Sequence, residues 1–142
     1  MFALHTQLAK DCVLIGDLPL CRVLLMNDAN YPWLVLVPRR EEIVELFELP
    51  RIDQQQLLDE VAQISAALAG HFRADKMNIA ALGNVVPQLH VHIVVRYSGD
   101  ATWPRPVWGA VPAQVYGDEA LCDRIAEIEE LLSTAGLQPA VS

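Results

Sequence analysis

The chain has 142 residues, of which 53% are hydrophobic and 20% are charged. This mixture can bury enough apolar surface to offset the chain entropy lost on folding, so it excludes a disordered chain and predicts one ordered domain over residues 1–142. The formal net charge of −8 disfavours nucleic acid as a partner, because polyanion-binding surfaces concentrate Lys and Arg on a broad face.

Cysteine use and hydropathy bear on the compartment. The three cysteines, Cys12, Cys21 and Cys122, are widely spaced and include no Cys-x-x-Cys pair. An odd number without such a pair fits a reducing compartment better than a disulfide framework. The longest apolar stretch, residues 33–38, is far shorter than the ~20 residues that span a bilayer. We therefore expect a cytoplasmic protein that does not associate with membranes.

The first part of the chain alternates short apolar segments with turn residues. We predict strands over residues 12–16, 20–26 and 33–37, separated by polar turns at 17–19 and 27–30. The third segment is rich in branched aliphatic residues and is typical of a central strand.

Two segments have helical periodicity. From Asp53 to Phe72, apolar residues recur every three or four positions, and Asp53 with Gln56 resembles a capping box at the start. A second amphipathic helix is predicted from an N-cap at Asp118 to a stop at Gly136.

Two more strands are predicted between these helices, over residues 77–82 and 88–95. The segment 100–113 contains three prolines and is predicted to be a loop, with Trp103 and Trp108 packed against the core. Strands interrupted by a helix predict an α+β domain, with an antiparallel sheet of about five strands and helices on one face.

The segment with the most evident chemistry is the strand Gln88-Leu89-His90-Val91-His92-Ile93-Val94-Val95. Because side chains alternate along a strand, Gln88, His90 and His92 share one face while the aliphatic residues occupy the other. A neutral imidazole can attack phosphorus with one ring nitrogen when the other donates its proton to a fixed acceptor. The neighbouring amide and imidazole could then hold phosphate oxygens or a leaving group.

Two other interpretations of this strand remain open. The histidines could be packed structural residues. Alternatively, His90 and His92 could present two ligands to zinc, which would need a third ligand such as His5 or His71. Neither of those two residues has a clear claim to that role, so we expect no metal and no other cofactor.

The strand resembles the signature of the histidine triad superfamily, His-φ-His-φ-His-φ-φ, where φ is apolar, with Gln88 in place of the first histidine. The segments 24–28 and 33–39 resemble the family's pair of strands before its Pro-Arg/Lys corner. Residues 77–80 resemble the strand that pairs with the triad strand. The likeness covers most of residues 20–96, and the branch of the family with glutamine at the first triad position looks closest.

The resemblance implies a HIT-like fold and a nucleotidyl hydrolase or transferase. His90 would attack the α-phosphorus, and His92 would hydrogen-bond to the phosphate or the leaving oxygen. Asn27 or Asp28 would contact the ribose, and Asn84 the phosphate, although all three also suit simple turns. Substrates would be nucleoside phosphoramidates, adenylates or dinucleoside polyphosphates, and the family's edge-to-edge pairing implies a homodimer.

The sequence departs from the family pattern at the first triad position. Glutamine can donate and accept hydrogen bonds but cannot carry a proton near neutral pH, so it can support geometry without acid–base duty. Two hypotheses compete with the nucleotidyl hydrolase or transferase. One is a nucleotide-binding module with little catalysis, and the other is a metal site on the His90/His92 face.

Overall fold

The computed structural model describes residues 1–141 as a sheet with helices on its faces. The strands are β1 (Cys12–Asp17), β2 (Cys21–Met26), β3 (Trp33–Pro38), β4 (Lys76–Ala80), β5 (Val91–Arg96) and β6 (Gln138–Pro139). The helices are α1 (Thr6–Asp11), α2 (Arg51–Phe72) and α3 (Asp118–Leu132), with short 3₁₀ turns at Leu46–Glu48 and Ser133–Ala135. All strand pairs are antiparallel, in the order β4-β5-β3-β2-β1-β6.

The two long helices cover one face of this sheet. Their apolar residues, such as Ile64 of α2 and Ile128 of α3, join a core cluster with Leu34 and Ile93 of the central strands. The predicted α+β fold, with an antiparallel sheet and these two helices on one face, is confirmed. The sheet has six strands because residues 138–139 add a short pairing to β1.

The opposite face of the sheet carries a second, smaller core cluster. Leu8 of α1 packs there with Trp33, Val35 and Val94, and Val107 reaches it from the loop after β5. Helix α1 was not predicted, because six residues hold too little periodicity to stand out. The loop prediction for residues 100–113 is confirmed, since this segment contains only turns and irregular backbone.

The strand predicted over residues 88–95 begins three residues later, at Val91. The neighbouring strands end first: the last pairs are Leu36 with Val91 on one side and Ala80 with His92 on the other. Residues 88–90 therefore lie outside the strand, with a bend at Gln88, and the Leu89 N–H donates to the carbonyl of Ile43 at 2.9 Å. Likewise β4 ends at residue 80 rather than at 82.

The predicted caps of the long helices are wrong in detail. Pro50 is the N-cap of α2, and the Asp53 carboxylate accepts two hydrogen bonds from Arg40 at 2.7 and 3.0 Å instead of capping the helix. Gly117, not Asp118, is the N-cap of α3. Helix α3 itself ends at Leu132, before the predicted stop, and Gly136, with a φ of 84°, ends the 3₁₀ turn that follows it.

Over residues 1–141, the longest helix is α2, and neither it nor any other is apolar enough over a sufficient length to cross a membrane.

Candidate active site

The two histidines of the motif lie together at the start of β5. His90 is the residue just before the strand, and His92 is the second residue of the strand. Only 6% and 5% of their surfaces are exposed, and their ring centroids are 5.0 Å apart at an interplanar angle of 72°. Both rings line a cleft of about 380 Å³ on the sheet face that carries α1.

The ring of His90 is fixed by a main-chain acceptor. Its Nδ1 lies 2.7 Å from the carbonyl oxygen of Gln88, two residues before it. A carbonyl oxygen can only accept a hydrogen bond, so Nδ1 carries the proton of the neutral ring. The lone pair of the neutral imidazole is therefore on Nε2, which no protein donor occupies among the described residues. A nitrogen in this state can act as a nucleophile.

The ring of His92 has the opposite tautomer. The indole Nε1 of Trp33 donates to His92 Nδ1 at 3.0 Å, and indole N–H can only donate. Burial, and then the neighbouring His90, lower the pKa of His92 from 6.5 to about 4. The ring is therefore neutral at physiological pH, with its proton on Nε2. His92 can donate a hydrogen bond there, but it has no surplus proton to give away.

Aromatic rings surround His92 on two sides. Trp108, from the loop after β5, packs edge-to-face at 5.2 Å between centroids, and Trp33 lies at 5.6 Å. The two indoles also contact each other at 6.0 Å. This apolar enclosure is the physical reason for the depressed pKa, because it removes the water that would solvate an imidazolium ion.

Helix α1 and the loop before the histidines complete the cleft. Gln7, Leu8 and Asp11 line it from the helix, and residues 82–86 line it from the loop. None of these α1 residues was predicted as part of the site. The sequence signal was weak, since α1 contributes a wall through its position rather than through a motif.

The prediction that Gln88 lies on the strand with the two histidines is wrong, because Gln88 lies in a bend before β5, and its amide does not line the cleft. Its Oε1 accepts a hydrogen bond from the N–H of His5 at 2.8 Å, and its Nε2 donates to the carbonyl of Ala3 at 2.9 Å. The side chain is thus engaged by the N-terminal segment, while the main-chain carbonyl binds His90.

Of the three residues predicted to bind the substrate, Asn84 lies in the cleft, and Asn27 and Asp28 lie beside it. Asn84 is exposed and lines the cleft with the histidines. Asn27 and Asp28 border an adjoining hollow of about 390 Å³, which shares Asp11 and Trp33 with the cleft.

The side chains of Asn27 and Asp28 also bind the main chain of residues 114–116, which follow the loop over residues 100–113. Asn27 Oδ1 accepts from the N–H of Tyr116 at 3.0 Å, and Asp28 Oδ1 accepts from the N–H of Gln114 at 3.2 Å. Asp28 is 95% buried by this packing, with 5% of its surface exposed. Both side chains are thus engaged through Oδ1, and Asn27 is the more exposed of the two.

The suggested third ligands for a metal are used elsewhere. His5 Nδ1 accepts from the N–H of Gln7 and caps α1 at 3.1 Å, and His71 pairs with Glu127 at 2.8 Å. Over residues 1–141, no three His, Cys, Asp or Glu side chains come together in a way that could hold a metal ion.

Charge is sparse in the cleft. Among the described residues that line it, Asp11 is the one charged side chain, and Lys and Arg are absent. A small second hollow of about 70 Å³ touches the other side of His90, and its one charged lining residue is Glu45. His90 therefore lines two cavities, the cleft and this small hollow. The described residues of both linings offer hydrogen bonds and apolar contacts but include no Lys or Arg.

Comparisons with known proteins identify the family and support the fold. The family model described as HIT domain matches residues 7–99. A histidine triad protein from Marinobacter aquaeolei VT8 is 49% identical, with a TM-score of 0.92 over 94% of this chain and 98% of that chain. One from Bradyrhizobium japonicum is also 49% identical, with a TM-score of 0.88 over 91% of this chain and 96% of that chain. No curated protein matches significantly.

A third solved structure, a histidine triad protein from Sinorhizobium meliloti 1021, is 45% identical with a TM-score of 0.90, covering 93% of this chain and 98% of that chain. The sheet with paired histidines on the face opposite its long helices is therefore that of the histidine triad class. The chain belongs to the HIT family, which makes it kin to nucleotide hydrolases and transferases.

Proposed function

We propose that the protein is a nucleotidyl hydrolase or transferase that acts through a covalent nucleotidyl-His90 intermediate. The observation that carries the proposal is the hydrogen bond from His90 Nδ1 to the Gln88 carbonyl, which leaves the Nε2 lone pair for attack on phosphorus. We also propose that the glutamine at the first triad position marks a branch of the family that differs from the three-histidine pattern.

In the first step, His90 Nε2 attacks the α-phosphorus and forms a P–N bond. The bond from phosphorus to the leaving group breaks, and its electron pair goes to the leaving group, which takes a proton from solvent. His90 becomes a phosphorylated imidazolium whose Nδ1 proton stays bound to the Gln88 carbonyl. His92 donates its Nε2–H to a phosphate oxygen or the leaving atom, which stabilises the developing charge.

In the second step, water attacks the same phosphorus. The P–N bond breaks, its electrons return to His90 as a neutral ring, and the proton of the water is released to solvent. The products are a nucleoside monophosphate and regenerated enzyme. An alcohol or amine in place of water makes the protein a transferase.

The nucleoside would lie along the cleft towards the hollow beside it. The ribose hydroxyls would meet Asn27 and Asp28, and Asn84 would contact the phosphate. These three roles suit the donors and acceptors that the two hollows offer.

The charge of the two cavities favours one class of leaving group. The cleft and the small hollow at His90 have an acidic side chain and no Lys or Arg in their linings, whereas the hollow proposed for the ribose includes Lys10, so extra negative charge next to His90 is disfavoured. We therefore propose nucleoside phosphoramidates with a neutral or cationic amine as preferred substrates, ahead of dinucleoside polyphosphates. Adenylates carry the same single negative charge on the α-phosphate and would likewise be preferred over dinucleoside polyphosphates.

A nucleotide-binding module with little turnover is the competing proposal. It is favoured by Gln88, because a carboxamide cannot act as a general acid or base near neutral pH and this side chain is engaged by residues 3–5. Such a protein would bind AMP or GMP in calorimetry and release no product from any of the three substrate classes.

The test is hydrolysis of an adenosine phosphoramidate, an acyl adenylate and a diadenosine polyphosphate by wild type and His90→Ala. We expect the variant to lose at least about a thousandfold in kcat/KM, since the nucleophile is gone. His71→Ala is the matched control, because His71 pairs with Glu127 on the surface, and it should retain wild-type rates. Equal rates for wild type and His90→Ala would refute the covalent mechanism.

We also propose that the protein is a homodimer that pairs along β4. This strand is at the end of the sheet, and no other strand within residues 1–141 pairs with its outer edge. A hollow of about 360 Å³ beside it is lined mainly by apolar side chains, including Leu46 and Leu58. Several large hydrophobic residues in this region are exposed, among them Phe47 at 79% and Ile79 at 50%. Such an apolar patch next to a free strand edge is typical of an interface.

A further inference from the structure

The amide of Gln88 binds the main chain of the N-terminal segment at two points. It accepts from the His5 N–H at 2.8 Å and donates to the Ala3 carbonyl at 2.9 Å. A carboxamide can do this because its acceptor and donor atoms lie side by side, as they do along the edge of a strand. The contact joins parts of the chain that are more than eighty residues apart.

The residue that Gln88 fixes is also the start of helix α1. His5 is the N-cap: its Nδ1 accepts from the N–H of Gln7 at 3.1 Å, and its carbonyl accepts from the N–H of Ala9 at 3.1 Å. A helix of six residues is not stable by itself, so its position depends on what holds its ends. The far end is held by the Asn27 N–H, which donates to the carbonyl of Asp11 at 3.0 Å.

Helix α1 is in turn one wall of the cleft, through Gln7, Leu8 and Asp11. We infer that Gln88 is a positioning residue, which holds the nucleophile through its carbonyl and fastens the α1 wall of the cleft through its amide. The kinetic part of this inference rests on the proposed function, whereas the structural part does not. Glutamine at this position thus links His90 to the wall that a bound nucleotide would touch.

The inference predicts that removing the amide loosens α1 and weakens nucleotide binding without removing the nucleophile. Gln88→Met keeps the length of the side chain and the main-chain carbonyl that binds His90. Its matched control is Gln63→Met, at an exposed position of α2. Hydrogen exchange at the amides of residues 7–12 should quicken in Gln88→Met only, while exchange in α2 stays unchanged and shows that the fold is intact.

A second pair of variants tests the other side of the same hydrogen bond. The φ of His5 is −56°, which suits proline, so His5→Pro removes the N–H donor with little backbone strain. His5→Ala removes the same capping side chain but keeps the N–H. Exchange in α1 should therefore be faster in His5→Pro than in His5→Ala, and this difference should vanish in the Gln88→Met background.

The kinetic readout separates positioning from a merely structural role. For Gln88→Met we expect the Kd for AMP and the KM for an adenosine phosphoramidate to rise by about tenfold, as loss of two hydrogen bonds predicts, with kcat within about threefold of wild type. Unchanged exchange in α1 would overturn the inference, and so would faster exchange with unchanged AMP affinity. If wild type turns over no substrate, the proposed function fails, while exchange and AMP affinity still decide the role of Gln88.

Discussion

At the scale of single residues, the two imidazoles differ because their Nδ1 atoms face opposite kinds of partner. The Gln88 carbonyl accepts from His90, and the Trp33 indole donates to His92. One ring is thereby left with a lone pair on Nε2 and the other with a proton there. Two identical side chains, two residues apart, are thus suited to attack and to hydrogen-bond donation respectively.

The first prediction concerns the Trp33 donor. In Trp33→Phe the aromatic packing is largely kept but His92 loses the bond that fixes its tautomer. We expect kcat/KM to fall about fivefold, the worth of one net hydrogen bond, and the imidazole ¹⁵N shifts of His92 to show a mixture of tautomers. Trp103→Phe is the control, since Trp103 packs on Arg96 and is 38% exposed. A single Nε2–H tautomer persisting in Trp33→Phe would contradict this role.

The second prediction concerns stability against pH. Burial lowers the pKa of His92 from 6.5 to about 4, so between these values the unfolded chain binds a proton that the folded chain does not. The free energy of unfolding should therefore fall as pH decreases from 6.5 to 4, by up to about 3 kcal/mol from this residue. Urea unfolding of wild type and His92→Gln at several pH values measures it. If the variant is as sensitive to pH as wild type in this window, His92 is not the cause.

The chemistry of individual side chains could be predicted from sequence only where it follows from periodicity. Alternation along the strand was enough to predict that His90 and His92 share a face, and both rings line the same cleft while Leu89, Val91 and Ile93 pack in the core under the long helices. The bond from Trp33 to His92 could not be predicted, because it depends on the register between β3 and β5, in which Val35 pairs with His92. That register joins strands almost sixty residues apart in the sequence.

At the scale of elements, the loop after β5 is held by a buried charge. Arg96 is 1% exposed, and its guanidinium donates to Asp100 at 2.7 and 3.1 Å and to Asn78 at 2.8 Å. Although burial alone would raise it, hydrogen bonds from Arg96 and from the N–H groups of Tyr97 and Thr102 lower the pKa of Asp100 to about 2. This network fixes the start of the loop that presents Trp108 to His92.

The third prediction is that Asp100→Ala destabilises the protein by about 3–5 kcal/mol, because it leaves the Arg96 charge buried without its partner. The loop over residues 100–108 should also become sensitive to protease before the rest of the chain. Asp59→Ala, at an exposed position of α2, is the control and should cost less than about 1 kcal/mol. Chemical denaturation with limited proteolysis measures both, and a loss as small as that of the control would contradict the role of this network.

The elements that sequence could predict are those with a long or repeated pattern. Helix α2 could be predicted from the spacing of its apolar residues alone, which include the buried Leu57, Ile64 and Leu68. Helix α1 has one buried residue, Leu8, and depends on Gln88 and on the main chain around Asn27. The helix thus forms because of tertiary contacts, and it could not be predicted from residues 6–11 alone.

At the scale of the whole molecule, the free edge of β4 and the exposed apolar residues near it lie apart from the cleft. The hollow there is lined by Leu46, Leu58 and Ala81. Burial of this patch in a second copy would extend the sheet across two subunits and remove an edge that otherwise invites non-specific pairing.

The fourth prediction is that Leu58→Lys makes the protein monomeric, since Leu58 is 60% exposed within this patch and a buried lysine there would be unpaired. Light scattering after size exclusion measures the mass. Gln63→Lys adds the same charge to another side of α2 and should leave the dimer intact. A wild-type protein that is monomeric at all concentrations, or a dimeric Leu58→Lys variant, would contradict pairing through this surface.

The fifth prediction tests the covalent mechanism most directly. Wild-type protein is mixed with an adenosine phosphoramidate and quenched in denaturant within a single turnover, and its peptides are analysed by mass spectrometry. We expect an adenylyl group on the peptide that contains His90, located on His90 by fragmentation, and no such adduct in His90→Ala. Product formed by wild type with no adduct at any time, or an adduct on a different residue, would contradict attack by His90.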